Sequence, residues 1–200
     1  MITTLLLDVD GVLQFPRRPA FVTEIERDHA WRAGYLTFQA EFFADPEYHE
    51  TLTGRADVLA VADRLLADHA PGLTGAAFMD RWLADDIVVN DELVALVGRA
   101  RVGRIHLATN QEPVRGAHVE RLHAHPWLTG AFVSHRLGYA KPDPRYFTAL
   151  LAEAGLRPEE CLFVDDKQPL VDSAREVGLT GVRYESVEQI AEELRAHNLL

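Results

Sequence analysis

Short apolar runs alternate with amphipathic segments over most of the chain. Five runs have the length and the composition of buried strands: 4–9, 104–109, 131–135, 161–166 and 180–184. Four segments between or after them carry the start and stop residues of helices: 113–125, 142–155, 169–178 and 186–198. This repeated alternation predicts an α/β fold with a parallel sheet and helices on both of its faces.

Residues 16–88 differ, because they contain no run that is typical of a strand. Three stretches within them have helical periodicity instead: 23–50, 56–70 and 74–86. The first stretch carries aromatic residues at the spacing i, i+4, i+7 and i+11, which favours packing inward over lining a substrate site: Trp31, Tyr35, Phe38 and Phe42. The sequence therefore predicts a catalytic core formed by residues 1–15 and 89–200, with an all-helical insertion at 16–88.

Composition and charge exclude several classes of function. The 200 residues are 48% hydrophobic and 26% charged, which is typical of one folded globular domain. A net charge of -11 argues against a nucleic acid polymer or an anionic membrane as the partner. No run approaches the roughly 18 apolar residues that a membrane span needs. The single cysteine, Cys161, predicts no internal disulfide and a reducing, cytoplasmic location. Nothing in the sequence indicates an oligomeric state.

Polar residues collect where the predicted strands end, which is where parallel sheets bind ligands. The ends of three strands and one loop provide seven of them: Asp8 and Asp10, Thr109 and Asn110, Lys141, and Asp165 and Asp166. Clustered carboxylates repel one another unless a cation is present, and Mg²⁺ prefers such oxygen ligands while it also binds phosphate. The pattern therefore indicates phosphoryl transfer at a magnesium site.

Each of these residues has a possible role in that chemistry. The Asp8 carboxylate could attack phosphorus, and Asp10 could protonate the leaving oxygen and later activate water. The Lys141 ammonium and the Thr109 hydroxyl could hold the phosphoryl oxygens, which is most of what such a transition state requires.

Four stretches resemble the motifs of the haloacid dehalogenase-like (HAD) hydrolases, in the family's order and over nearly the whole chain: DVDGV, LATNQ, GYAKPDP and FVDD. The resemblance implies a Rossmann-like core with a small helical cap at 16–88. It also implies that Asp8 is the nucleophile and Asp10 the general acid–base. The Mg²⁺ ligands that it implies are Asp8, the Asp10 backbone carbonyl, Asp165 and Asp166, with the phosphoryl group bound by Thr109, Asn110 and Lys141.

Two details narrow the expected substrate. An acid at position 10 favours phosphate esters, since the family's dehalogenases usually lack one there. The paired aspartates resemble a phosphatase-rich branch of the family, although that branch often has an asparagine where this chain has Leu170. We therefore expect a Mg²⁺-dependent phosphatase, a phosphoric monoester hydrolase, of small phosphorylated metabolites such as sugar phosphates or nucleotides. A phosphomutase and a non-catalytic protein that binds phosphorylated ligands remain alternatives, and a 2-haloacid dehalogenase is a weaker one.

Other charged residues favour a structural role. Arg17 and Arg18 are expected to form a solvated hinge rather than a second anion site. His118, His123 and His125 are expected to be surface or capping residues, because His123 does not share a helical face with the other two.

Overall fold

The computed structural model describes residues 1–200 and contains seven strands and eleven α-helices. The strands are β1 Thr4–Leu7, β2 Gln14–Phe15, β3 Val88–Val89, β4 Arg104–Thr109, β5 Gly130–Val133, β6 Cys161–Asp165 and β7 Thr180–Arg183. The helices are α1 Ala20–Asp28, α2 Tyr35–Ala44, α3 Pro46–Thr51, α4 Val58–His69, α5 Gly75–Asp85, α6 Asp91–Val97, α7 Pro113–Leu122, α8 Ser134–Leu137, α9 Pro144–Ala154, α10 Gln168–Glu176 and α11 Val187–Ala196. None of these helices combines the length and the apolar composition that crossing a membrane requires.

Five of the strands form one parallel sheet in the order β5-β4-β1-β6-β7. The central strand β1 lies between β4 and β6, with Leu7 in register with Leu107 on one side and Val164 on the other. Because the strands are parallel, the carboxyl ends of β4, β1 and β6 lie side by side at one edge of the sheet. The sheet order therefore brings together polar residues that are far apart in the sequence.

Alternate side chains of β1 enter hydrophobic clusters on opposite faces of the sheet. Leu5 and Leu7 pack in a cluster that includes residues of α6 and α11, whereas Leu6 packs in a cluster that includes residues of α9 and α10. All four residues of β1 are buried, which accounts for the continuous apolar run in the sequence. The predicted α/β fold with helices on both faces of a parallel sheet is confirmed.

The helices α1 to α5 have a hydrophobic cluster of their own. Its fifteen buried residues all lie between Phe21 and Trp82. Phe38 lies within it, with its ring centroid 5.0 Å from that of Phe78 and 5.6 Å from that of Phe42. The expectation that Tyr35, Phe38 and Phe42 pack inward is confirmed.

The structure differs from the predicted elements in two places within this part of the chain. The stretch 23–50 forms three helices rather than one, because Gly34 and Asp45 adopt non-helical backbone conformations at the starts of α2 and α3. In addition, β2 and β3 form a short antiparallel pair in which Phe15 is in register with Val88. Strands of two residues have no measurable periodicity, so the sequence pattern does not reveal them.

The ring of Phe38 fills the centre of the α1–α5 cluster, so Phe38→Ala should destabilise the protein. We expect the free energy of unfolding in urea to fall by about 3–5 kcal/mol, as for other buried phenylalanines. Leu36→Ala on the same helix is the matched control, because Leu36 is 53% exposed and should cost less than about 1 kcal/mol. Equal losses in the two variants would show that this cluster does not stabilise the fold.

Candidate active site

Three carboxylates meet at the carboxyl edge of the sheet. Asp8 follows β1, Asp165 is the last residue of β6 and Asp166 comes next, so the pairing of β1 with β6 places all three together. Each offers an oxygen atom, and these atoms lie within 4.8 Å of one another. Asp8 and Asp165 are buried, and Asp166 is half-buried. Carboxylates in so small a volume require compensating positive charge.

Lys141 supplies part of that charge. Its ammonium Nζ lies 3.0 Å from Oδ1 of Asp8 and 2.6 Å from Oδ2 of Asp165, and it donates a hydrogen bond of 2.8 Å to the Ala108 carbonyl. Burial lowers the pKa of Lys141, but the two carboxylates outweigh that effect and hold the pKa above its usual value. Lys141 is therefore a charged residue buried at the centre of the site, and it is not a solvated surface lysine.

The cluster remains short of positive charge even with Lys141 in place. Burial raises the pKa of Asp8 to about 6, although the Lys141 ammonium opposes that shift. Burial also raises the pKa of Asp166 above its usual value. Three carboxylates and one ammonium leave a net negative charge in a buried volume, which a divalent cation would neutralise.

The residues around Asp166 fit a bound magnesium ion. Its Oδ1 atom is buried and has no hydrogen-bond partner. A Cβ atom at Gly11 would lie 2.6 Å from the carboxyl carbon of Asp166, so only glycine lets the backbone approach this closely. The donors are hard carboxylate oxygens, which is the ligand type that Mg²⁺ prefers. The predicted contribution of the Asp10 carbonyl to a metal site stays a prediction.

Asn110 fixes the loop that carries Lys141. Its side-chain amide donates to the Lys141 carbonyl at 2.7 Å, and its amide oxygen accepts from the Lys141 backbone N–H at 2.9 Å. The side chain of Leu170 is apolar and offers no hydrogen bond to this loop. Asn110 therefore holds the backbone of Lys141 and Asp165 holds its ammonium group. The sequence did not reveal the contact with the Asn110 side chain.

Asp10 lies apart from the three clustered carboxylates and is held by donors of its own. Its side chain, 43% exposed, accepts hydrogen bonds from Gln14 at 2.8 Å, Gln111 at 2.6 Å and Arg115 at 2.7 Å. Burial raises the pKa of Asp10, but the Arg115 charge and these hydrogen bonds together keep it below its usual value. The structure thus holds Asp10 as an oriented carboxylate.

Thr109 is the last residue of β4, which pairs with β1, and its side chain is buried. Its hydroxyl accepts a hydrogen bond of 3.2 Å from the Gln111 amide, which also binds Asp10. Thr109 does not cap α7, because the Glu112 carboxylate accepts from the first backbone N–H groups of that helix. The role of Thr109 in holding a phosphoryl group stays a prediction.

The sequence pattern does not predict the partners of Asp10, and it does not predict the burial of His123. His123 is fully buried, and its Nε2 atom lies 3.0 Å from the amide oxygen of Gln14. His123 is the C-cap residue of α7, so the capping expectation is confirmed, but the residue does not lie on the surface and packs behind the Gln14–Asp10 pair. Gln111 directly follows Asn110 in the sequence, and that adjacency was the one available signal.

Arg17 and Arg18 differ in their surroundings. Arg17 donates to Glu24 at 2.6 Å and to the Asp85 carbonyl at 2.5 Å, so its guanidinium is already occupied. Arg18 is exposed and lines the largest cavity of the molecule.

That cavity has a volume of about 470 Å³ and lies between the sheet edge and the helices α2, α3 and α5. One wall is aromatic and comes from Phe43, Tyr48 and Trp82. Polar residues also line the cavity: Asp10, Asn110, Gln111, Arg115 and Lys167. Asp8 and Lys141 do not line it. The cavity has the mixed character and the size of a small-molecule site.

The strand-end motifs lie within a region that matches a known protein family. A family model described as haloacid dehalogenase-like hydrolase matches residues 2–178. The chain belongs to this family. Its fold is thus that of a HAD hydrolase, as the motif order indicated.

Two curated proteins are similar to this HAD hydrolase over part of its length. A chloroplast flavin mononucleotide hydrolase of Arabidopsis thaliana is 30% identical over 90 residues, which are 45% of this chain and 37% of that protein. A GMP/IMP nucleotidase of Escherichia coli is 32% identical over 101 residues, which are 48% of this chain and 42% of that protein. The matched regions therefore span less than half of either relative.

Solved structures share the fold over nearly the whole chain. A HAD family enzyme from Bacteroides thetaiotaomicron has a TM-score of 0.73 and 18% identity, covering 92% of this chain and 94% of its own. The same enzyme has been solved in complex with magnesium and inorganic phosphate, with a TM-score of 0.71 and coverage of 92% and 95%. The L-2-haloacid dehalogenase from Xanthobacter autotrophicus has a TM-score of 0.66 and 20% identity, covering 98% of this chain and 83% of its own.

The carboxylate cluster leads to a prediction for metal binding. Mg²⁺ at a hundredfold excess over its dissociation constant should raise the free energy of unfolding of the metal-free protein by about 2.7 kcal/mol. Asp166→Asn removes a charged ligand, so it should weaken Mg²⁺ affinity at least about tenfold, measured by calorimetry and by thermal unfolding. Asp172→Asn is the control, because Asp172 is exposed and contacts Gln168 and Arg175 only. Equal Mg²⁺ affinity in wild type and Asp166→Asn would show that the ion binds elsewhere.

Proposed function

We propose that this HAD hydrolase is a Mg²⁺-dependent phosphatase that hydrolyses phosphate monoesters of small metabolites through an aspartyl-phosphate on Asp8. The observation that carries the proposal is the buried Asp8 carboxylate, which contacts Lys141 and lies beside Asp165 and Asp166 at the carboxyl edge of the sheet. A carboxylate in this position is a suitable nucleophile, and the neighbouring Lys141 ammonium suits the negative charge of a phosphoryl group. The paired aspartates and Asp10 agree with a phosphate ester substrate.

The residues would divide the reaction into two half-reactions. In the first, an Asp8 oxygen bonds to phosphorus while the bond from phosphorus to the alcohol oxygen breaks, and that oxygen takes a proton from Asp10. Because Arg115 and the two glutamines hold the pKa of Asp10 below its usual value, Asp10 must bind this proton before the step. In the second, the Asp10 carboxylate takes a proton from water as the water oxygen bonds to phosphorus and the Asp8–phosphorus bond breaks. Asp10 is then protonated again, so proton transfer balances over one turnover.

Positive charge at the phosphoryl group would come from two sources. Asp8, Asp165 and Asp166 would hold Mg²⁺, which when bound supplies charge to the phosphoryl oxygens during transfer. Lys141 would move from its contacts with the carboxylates toward the phosphoryl oxygens, with Thr109 and Asn110 beside it. The Asn110 amide keeps the Lys141 backbone in place during this change.

The cavity favours nucleotides among the small phosphorylated metabolites. Phe43, Tyr48 and Trp82 line the cavity together with polar residues, and a planar base or flavin ring can pack against such aromatic side chains. A sugar phosphate offers no planar group to the same side chains. The matched relatives, a flavin mononucleotide hydrolase and a GMP/IMP nucleotidase, support this choice.

We further propose that residues 16–88 act as a cap over a core formed by 1–15 and 89–200. The separate hydrophobic cluster of α1–α5 supports this division, and so does the aromatic wall that these helices contribute to the cavity. The lone, buried Cys161 is in keeping with a reducing, cytoplasmic location.

Phosphate release tests the proposal directly. The wild-type protein should release phosphate from flavin mononucleotide, GMP or IMP in the presence of Mg²⁺, and more slowly from sugar phosphates. Asp8→Asn removes the nucleophile and should lower kcat at least about 1,000-fold while the circular dichroism spectrum and the unfolding transition persist. Chelation of Mg²⁺ should have a similar effect that added Mg²⁺ reverses.

Asp91→Asn in the first turn of α6 is the matched control and should keep wild-type turnover. Near-normal turnover in Asp8→Asn would contradict the assignment of the nucleophile. Stabilisation by these ligands without phosphate release would indicate a non-catalytic binding protein, and a requirement for a sugar bisphosphate would indicate a phosphomutase.

A further inference from the structure

Arg115 connects the general acid–base to the helices above the sheet. It lies on α7, in the core, and its Nη2 atom donates to Oδ1 of Asp10 at 2.7 Å. The carbon at the centre of the same guanidinium lies 4.5 Å from the centroid of the Trp82 ring on α5. A single side chain thus contacts both Asp10 and a residue of the segment 16–88.

The surroundings of Arg115 restrict its guanidinium to this position. The residue is 9% exposed, and Nη1 is buried without a hydrogen-bond acceptor. The Glu112 carboxylate accepts from the backbone N–H of Arg115 at 2.7 Å, which fixes the first turn of α7. Asp10 is the one carboxylate that the Arg115 guanidinium binds. The orientation of the guanidinium therefore depends on two contacts, one with Asp10 and one with the face of the Trp82 ring.

Asp10 depends on Arg115 in turn. Its Oδ2 atom accepts from Gln111, whereas Oδ1 accepts from both Gln14 and Arg115. The two glutamines are neutral donors, so the bond from Arg115 is the one of the three in which both partners carry a charge, and it is the strongest. Loss of this bond would leave the carboxylate held by the two neutral amides alone.

We propose that Arg115 is a positioning residue that couples the orientation of the Asp10 carboxylate to the packing of the helical segment through Trp82. The inference rests on the proposed function, because it assigns to Asp10 the transfer of a proton to the leaving alcohol. Substrate that fills the cavity contacts the Trp82 wall, and a change in the Trp82 ring is transmitted by Arg115 to the carboxylate that serves the leaving oxygen.

A matched pair of esters separates this role from a general structural one. Benzyl phosphate releases an alkoxide that needs a proton, whereas p-nitrophenyl phosphate has a similar shape and releases a stable phenolate that does not. The ratio kcat/KM reports only the steps through the first irreversible one, formation of the aspartyl-phosphate, so it does not include water activation. General acid catalysis contributes about 10²–10⁴-fold to such a step.

In Arg115→Met we expect kcat/KM for benzyl phosphate to fall about 100-fold, and for p-nitrophenyl phosphate less than about 10-fold. Trp82→Leu keeps both Arg115 and Asp10 but removes the ring that holds the guanidinium. It should therefore shift the ratio of the two values in the same direction by a smaller factor. Arg115→Lys keeps the charge and should restore part of the loss. Arg121→Met is the control on the same helix, because Arg121 is exposed and should leave both values unchanged.

Equal losses for the two esters in Arg115→Met would overturn the proposal and leave Arg115 a structural residue. A wild-type protein that hydrolyses neither ester would instead count against the phosphatase function, and crystallography then decides the coupling independently. A crystal structure of Trp82→Leu should show the Asp10 carboxylate rotated away from Arg115. An Asp10 that keeps all three donors in that structure would overturn the coupling whether or not the protein turns over.

Discussion

The contact between the Lys141 ammonium and the carboxylates of Asp8 and Asp165 is the interaction on which the site depends. All three groups are buried, and a buried carboxylate without a partner costs several kcal/mol. The ammonium lies within 3.0 Å of both acids, so it makes their charges tolerable at the edge of an apolar sheet. It contacts two of the three neighbouring carboxylates but carries a single positive charge, and the remaining negative charge is what makes the cluster a suitable magnesium site.

The fold supplies the precision that this contact needs. Asp8 follows β1 and Asp165 ends the adjacent strand β6. The register of these two strands pairs Leu5 with Leu162 and Leu7 with Val164. Lys141 lies in a loop rather than in a strand. The side-chain amide of Asn110 holds that loop by two hydrogen bonds to the backbone of Lys141. The hydrophobic clusters on both faces of the sheet therefore act on the chemistry indirectly, by fixing where the strands end.

The sequence predicts the part of the site that follows from strand order, and it fails where a helix face or a loop decides. Asp8 and Asp165 are predictable because the carboxyl ends of parallel strands share one edge, whereas Lys141, in a loop, is indicated by its motif. Arg115 is not predictable, since its contact with Asp10 depends on how α7 is rotated against the sheet, and one turn of sequence does not fix that rotation. The burial of His123 is missed for a similar reason, because this residue caps the end of α7 and its contact with Gln14 is a tertiary effect. The breaks between α1, α2 and α3 likewise arise from local backbone conformations that hydrophobic periodicity does not resolve.

A double-mutant cycle on Asp165 and Lys141 measures this buried charge pairing. The free energy of urea unfolding is determined in metal-free buffer for the wild type, Asp165→Asn, Lys141→Met and the double variant. We expect Lys141→Met alone to cost about 3–5 kcal/mol, because it leaves buried carboxylates unpaired. The double variant should recover part of that loss, with a coupling energy of about 1–3 kcal/mol. If the losses of the two single variants add up to that of the double variant within about 0.5 kcal/mol, the two charges do not interact. That result would contradict the dependence of the site on the Lys141 ammonium.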